Sequence, residues 1–281
     1  MRTNKYFIRF LALLILSIIL LSYAFYSINQ TNSDWGHYLH VTWALGIVVP
    51  NGAKLEDGSI VKWSEIRNIT AIIRLPNITR TDGMIYVVLS AMTASKTILQ
   101  VAAGISPNNT YWLTYAMIAL NISSGTNYIW RAENSLPIMD VHHIVSISIY
   151  SLKNNQGRYE WNYTVHDITT GEFSSGFLAD DNSYTFMDGD QEVIALESYT
   201  KKESIFSYMG NVTLYALLLN GKKVISGWYI YDGWDWTKHP LFVVGGSTPS
   251  PQYISISSNN GTIYWKYGPI SWSTSTIKIG Y

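Results

Sequence analysis

HIVSISIYSL, His143 to Leu152, decides the fold. Ile144, Ser146, Ser148 and Tyr150 fall on one side of an extended chain, and Val145, Ile147 and Ile149 on the other. That period of two belongs to a strand with one buried face. Outward from it, similar short runs recur between turn residues. They are HYLHVTWALGIVV, TAIIRL, GMIYVVLSAM, TILQVAAGI, TYWLTYAMIALNI, YEWNYTVHDI, EVIALESYT, NVTLYALLL, KVISGWYIY, YISISS, TIYWKYG and STIKIG. LNGKKV (Leu219 to Val224) and SSNNGTI (Ser257 to Ile263) place Asn-Gly between two such runs, the signature of a tight hairpin. No long segment after residue 30 holds a helical period. Many short strands at this spacing predict an antiparallel sandwich or barrel.

Composition narrows the chemistry. The 281 residues contain no cysteine, which removes disulfide scaffolds and thiolate metal sites. The formal net charge is zero and 14% of residues are charged, unlike a nucleic-acid-binding surface. The 21 Tyr and 11 Trp, beside abundant Ser, Thr and Asn, suit strand faces. A chain this long buries a core without staples.

At the N-terminus, Arg2, Lys5 and Arg9 precede the apolar run Phe10 to Phe25. A basic flank before an apolar segment keeps the N-terminus inside and orients the downstream chain to the outside of the membrane. Residues 1–26 read either as a signal anchor forming one hydrophobic helix or as a signal peptide cut after Ala24. Residues 27–33 form a polar stalk, and 34–281 one extracytoplasmic domain. The expected location is the cell membrane, single-pass, or the secreted fraction. Asn29, Asn68, Asn77, Asn108, Asn121, Asn162, Asn211 and Asn260 each open an Asn-x-Ser/Thr triplet and are glycosylation candidates.

Few constellations suggest chemistry. His142 and His143 are adjacent, and His37 and His40 have opposite parity, so neither pair shares a metal in an extended chain. No metal and no cofactor is expected. No Gly-x-Ser-x-Gly elbow is present. The acidic stretch Ala179 to Glu192 misses the spacing of a calcium loop and reads as a solvated turn. HDITTGE, His166 to Glu172, reads as a strand entering a tight turn at Gly171. Two polar residues interrupt apolar strands. Gln100 lies within SKTILQVAAGI, and Glu197 follows Val193 and Ala195 at period two. A buried amide without hydrogen bonds costs about 1–3 kcal/mol.

The order of motifs around those two residues resembles the glutamic peptidases (eqolisins). It runs DWGHY (Asp34 to Tyr38), TAIIRLPNI (Thr70 to Ile78), MIYVVLSAM, TILQVAAG, TYWLTYAMI, YEWNYTVHDITTG, QEVIALES and NVTLYALLLNGKKV, covering most of residues 34–281. The resemblance implies a concanavalin A-like or jelly-roll β-sandwich hydrolysing peptide bonds in a peptide or protein substrate. It implies Glu197 as general base and Gln100 as oxyanion partner, with Trp112 and Tyr115 as cleft walls. QEVIALE needs a one-residue shift to place both of the family's glutamates, which makes Glu192 the rival base; a bulge absorbs such a shift. The alternative is a non-catalytic sandwich whose Tyr and Trp contact sugars or proteins.

Overall fold

A computed structural model describes residues 43–79, 81, 83–106, 111–119, 128–154, 156–198, 210–231, 254–259 and 262–267. The N-terminal hydrophobic segment lies outside them, as do His37, His40, Asn29, Asn108, Asn121, Asn260 and the STIKIG run. Among the described residues no helix is long and apolar enough to cross a membrane. A single 3-10 turn, Trp63–Glu65, is the helical element described.

Among the described residues, sixteen strands pair antiparallel in two sheets. Seven form the first: β1 (Trp43–Val49), β4 (Ile85–Met92), β5 (Ile98–Ile105), β6 (Tyr111–Ala119), β7 (Tyr128–Asp140), β11 (Gln191–Ser198) and β14 (Tyr229–Tyr231). Their order is β14-β1-β11-β4-β5-β6-β7. The second sheet runs β10 (Phe173–Asp181), β9 (Tyr159–Asp167), β8 (Ile144–Lys153), β3 (Asn68–Arg74), β12 (Val212–Leu219), β13 (Lys222–Ser226) and β2 (Lys54–Leu55). The hairpin of β15 (Ile254–Asn259) and β16 (Thr262–Tyr267) joins it by pairing β16 with the start of β12.

The core lies between the sheets because the alternation is obeyed. On β8, Val145, Ile147 and Ile149 are buried, while Ile144, Ser146, Ser148 and Tyr150 are half-buried on the outer face. Against them from the first sheet come Val87 and Leu89 of β4, Leu99, Val101 and Ala103 of β5, and Ile194 and Leu196 of β11. Phe186 packs between two tryptophans, its ring centroid 5.7 Å from Trp63 and 4.6 Å from Trp161. Their buried indole N–H groups donate to the Val49 and Ser183 carbonyls.

The first Asn-Gly pair joins strands as expected; the second, Asn260-Gly261, lies outside the described residues, between the paired ends Asn259 and Thr262. In the first, Leu219 pairs with Lys222 around Asn220 (φ 50°) and Gly221 (φ 81°), the left-handed pair a two-residue hairpin needs. Asn220 also ties this turn to β3, accepting from the Arg67 and Asn68 amides. Gly171, at φ 81°, closes the turn after β9. KVISGWYIY is two strands, not one. Gly227 (φ +87°) divides it into β13 of one sheet and β14 of the other, and a Cβ there would meet Ala53 Cα at 2.9 Å. Strands β7 and β10 went unread in the sequence.

Candidate functional site

The outer face of the first sheet differs from that of the second. Tyr86 and Val88 of β4 and Ala102 of β5 form a small buried apolar cluster there, with Met84 against it. The polar side chains on this face include Ser90, Gln100, Glu192 and Glu197.

A bulge puts both glutamates on it. In a regular strand, residues five apart face opposite ways. The β1–β11 register shifts between Ile47 and Val48, so that Ile47 pairs with Ile194 and Val48 with Glu192. Val193 is the extra residue, and both Val193 and Ile194 enter the core. Past it, Glu192 joins Ala195 and Glu197 on the outer face. The sequence reading placed Val193 on the face of Glu197; the bulge puts Glu192 there in its stead. Gln191 anchors the bulge from behind, its Oε1 accepting from the Met92 amide and its Nε2 donating to the Met187 carbonyl.

Gly46 makes room for the displaced carboxylate. It pairs with Ala195, and a Cβ on it would lie 2.9 Å from Glu192 Cδ and closer still to Oε1. Glu192 Oε1 is buried without a hydrogen-bond partner, although the residue as a whole is only half-buried. Burial pushes the Glu192 carboxyl well above the ordinary carboxylate range, and the charge of Glu197 pushes it further.

Gln100 is 5% exposed, and its Oε1 is likewise buried without a partner. It pairs with Ser90 on β4, where Nε2 lies 3.5 Å from Ser90 Oγ. Ser90 stands one step past the Leu89–Ile194 pair, level with the bulge and Glu192. Gln100 and Glu192 therefore face each other across one intervening strand, with backbones about 10 Å apart. Glu197 pairs with Tyr86, four residues from Ser90 along β4, roughly 13 Å farther along the sheet. Glu192 is the nearer partner of Gln100.

Trp112 is not a cleft wall. It is wholly buried in the core, and its indole N–H donates to the Pro76 carbonyl at 3.2 Å. Two shifts in the β6–β7 register flank Thr114, and they were invisible in the sequence. Tyr115 pairs with Ala102 in the ladder, and its side chain lies outside the described set. Asn211 is exposed, and Asn68, Asn77 and Asn162 are half-buried.

Elsewhere, His143 Nδ1 lies 2.5 Å from Asp167 Oδ2, and Asp167 is fully buried. At that spacing the two atoms share a proton. The other carboxylate oxygen accepts from the Thr169 and Thr170 amides, so the pair holds the turn after β9. In the acidic stretch Asp180, Asp188 and Asp190 are exposed, while Asp181 is buried and accepts from the Thr93 hydroxyl. Among the described residues no group of three or more His, Asp or Glu is placed to hold a metal.

No protein-family model matches the chain, and no curated protein matches it. Solved structures do. Scytalido-glutamic peptidase with a peptide-based transition state analog is 11% identical, over 80% of this chain and 98% of that one, at TM-score 0.47. The same peptidase with a transition state analog inhibitor gives 11%, 80%, 98% and 0.48. SCP-B, a member of the eqolisin family of peptidases in complex with the tripeptide Ala-Ile-His, gives 11%, 80%, 98% and 0.46.

Proposed function

We propose that this chain is an extracytoplasmic glutamic-type endopeptidase on a concanavalin A-like sandwich, with Glu192 as base and Gln100 as oxyanion partner. One observation carries the reading: the Val193 bulge brings a buried carboxylate oxygen level with a buried amide on a face that also carries Tyr86, Val88, Ala102 and Ala195. Glu192 takes a proton from water, whose oxygen bonds to the peptide carbonyl carbon. Gln100 Nε2–H donates to the oxyanion that forms. Collapse breaks the C–N bond as Glu192 returns the proton to the leaving amine. The base must be ionised, so its raised pKa sets the working range. Glu197 acts through its charge on Glu192.

The test is cleavage of quenched fluorescent peptides from acid to neutral pH. Glu192→Gln is expected to lose about 10²–10⁴-fold in kcat, and Gln100→Ala about 10²–10³-fold. Activity equal to wild type in both variants refutes the assignment. The non-catalytic alternative rests on Phe173 and Phe177, exposed on β10 of the other sheet. It gains if wild type cleaves nothing while sugars or proteins bind in a Phe173-dependent way. The reading of Phe10 to Phe25 as anchor or cleaved signal is tested by the mass of the native N-terminus.

A further inference from the structure

A primary amide has one accepting end and one donating end, and catalysis by Gln100 needs the donating end turned toward substrate. Ser90 is the partner described for that amide. It stands directly opposite Gln100 in the ladder, on the same face, and between Gln100 and Glu192. With Nε2 toward Ser90 the contact is 3.5 Å, long for a hydrogen bond, and Oε1 stays buried and unpaired. Turning the amide by half a rotation exchanges its two ends at the same positions, so the 3.5 Å contact is kept and the end without a partner becomes Nε2. The Ser90 hydroxyl then donates to Oε1, and the Nε2 hydrogens are left for an acceptor that substrate would bring. The two orientations differ only in which of two nearly identical atoms is nitrogen.

We propose that Ser90 is the positioning residue of the site, its hydroxyl donating to Gln100 Oε1 and so presenting Nε2–H to the peptide carbonyl. The inference rests on the peptidase reading of Gln100. It assigns Ser90 no contact with substrate and no part in the proton transfers.

The experiment uses the full chain as wild type, Ser90→Ala and Ser90→Thr. In Ser90→Ala, kcat is expected to fall about tenfold, the value of one neutral hydrogen bond lost before the transition state. KM should stay within about twofold, because ground-state binding is not involved. The acid limb of the pH–rate profile, which belongs to Glu192, should not move. Ser90→Thr retains a hydroxyl and is expected to recover kcat. An unchanged kcat in Ser90→Ala, or a loss that threonine fails to restore, overturns the proposal. If wild type cleaves no peptide at any pH, the peptidase reading has failed, and a thermal-unfolding cycle of Ser90→Ala with Gln100→Met decides the remaining point. Tm shifts that fail to add support the hydroxyl–amide bond; shifts that add refute it.

Discussion

Gly46→Ala tests the seating of Glu192 directly. The glycine has no left-handed φ, so alanine fits the backbone there, and the problem is space alone. The new methyl would sit 2.9 Å from Glu192 Cδ and 3.1 Å from Cγ, where ordinary contacts begin at 3.4 Å. The carboxylate must retreat by roughly half an ångström, more at Oε1, while its bulged strand is held by Gln191. Overpacking of this kind costs about 1–3 kcal/mol. In a Glu192→Ala background the obstruction is gone. The same change then stabilises by about 0.4–1 kcal/mol, because alanine restricts the unfolded chain. The sign of Gly46→Ala should therefore reverse between backgrounds, with a coupling above about 1.5 kcal/mol in urea unfolding. Displacement of a base by about 1 Å also costs on the order of 10²-fold in rate, so the single variant should lose kcat. Equal destabilisation in both backgrounds would mean that the methyl meets something other than Glu192, and the seat would not exist.

Four further outcomes rest on the contacts described above. Glu192 is raised by burial and by Glu197, so activity should fall as pH drops through a point well above the 4.5 of an ordinary glutamate, and Glu197→Gln should move that limb toward acid. A raised carboxyl favours folding while protonated and weakens it as pH climbs toward the folded value; urea titrations should thus show Glu192→Gln gaining on wild type toward neutral pH and matching it in acid. Trp112→Ala should cost about 3–5 kcal/mol by urea unfolding, as a core deletion that also orphans the Pro76 carbonyl. Asp167→Ala should cost roughly 3 kcal/mol, since the His143 ring and the Thr169 and Thr170 amides all lose their acceptor, and hydrogen exchange at those two amides should rise.

How much of this was legible in the chain depends on where the deciding force acts. The alternation of β8 is local, so its faces were read correctly. The Asn220–Gly221 turn was legible for the same reason, because its backbone angles are a property of two residues. Strand β10 inverts the rule: Phe173 and Phe177 face out while Ser174 and Asp181 are buried. Strand β7 carries Arg131, Glu133, Asn134 and Pro137 and shows no alternation. Gln100 and Glu197 were nameable as polar interruptions, but periodicity did not group them with Glu192; only the resemblance paired Gln100 with one glutamate or the other. In VIALE, Val193 and Ile194 suit either side of a sheet, so no local feature marks the extra residue. The bulge is fixed by Gln191 gripping Met92, 99 positions away in the chain.

The asymmetry of the two outer faces is what singles out this site. Across the second sheet, Asn68 and Thr70 of β3, Ser146 and Ser148 of β8, and Asn162 and Thr164 of β9 stand half-buried, as expected where a sheet meets water. The first sheet is buried on both faces along much of β4 and β5, whose runs IYVVLSAM and ILQVAAGI read as nearly continuous apolar stretches. A polar group on such a sheet gains nothing from solvent. Core packing favours leucine or methionine at positions 100 and 192, and one end of the Gln100 amide and Glu192 Oε1 are buried there without a partner. Stability alone therefore does not account for an amide and a carboxylate at one level of this sheet. The proposed peptidase reading does: both needs, a donor for developing negative charge and an acceptor for a proton, are strongest where water is excluded.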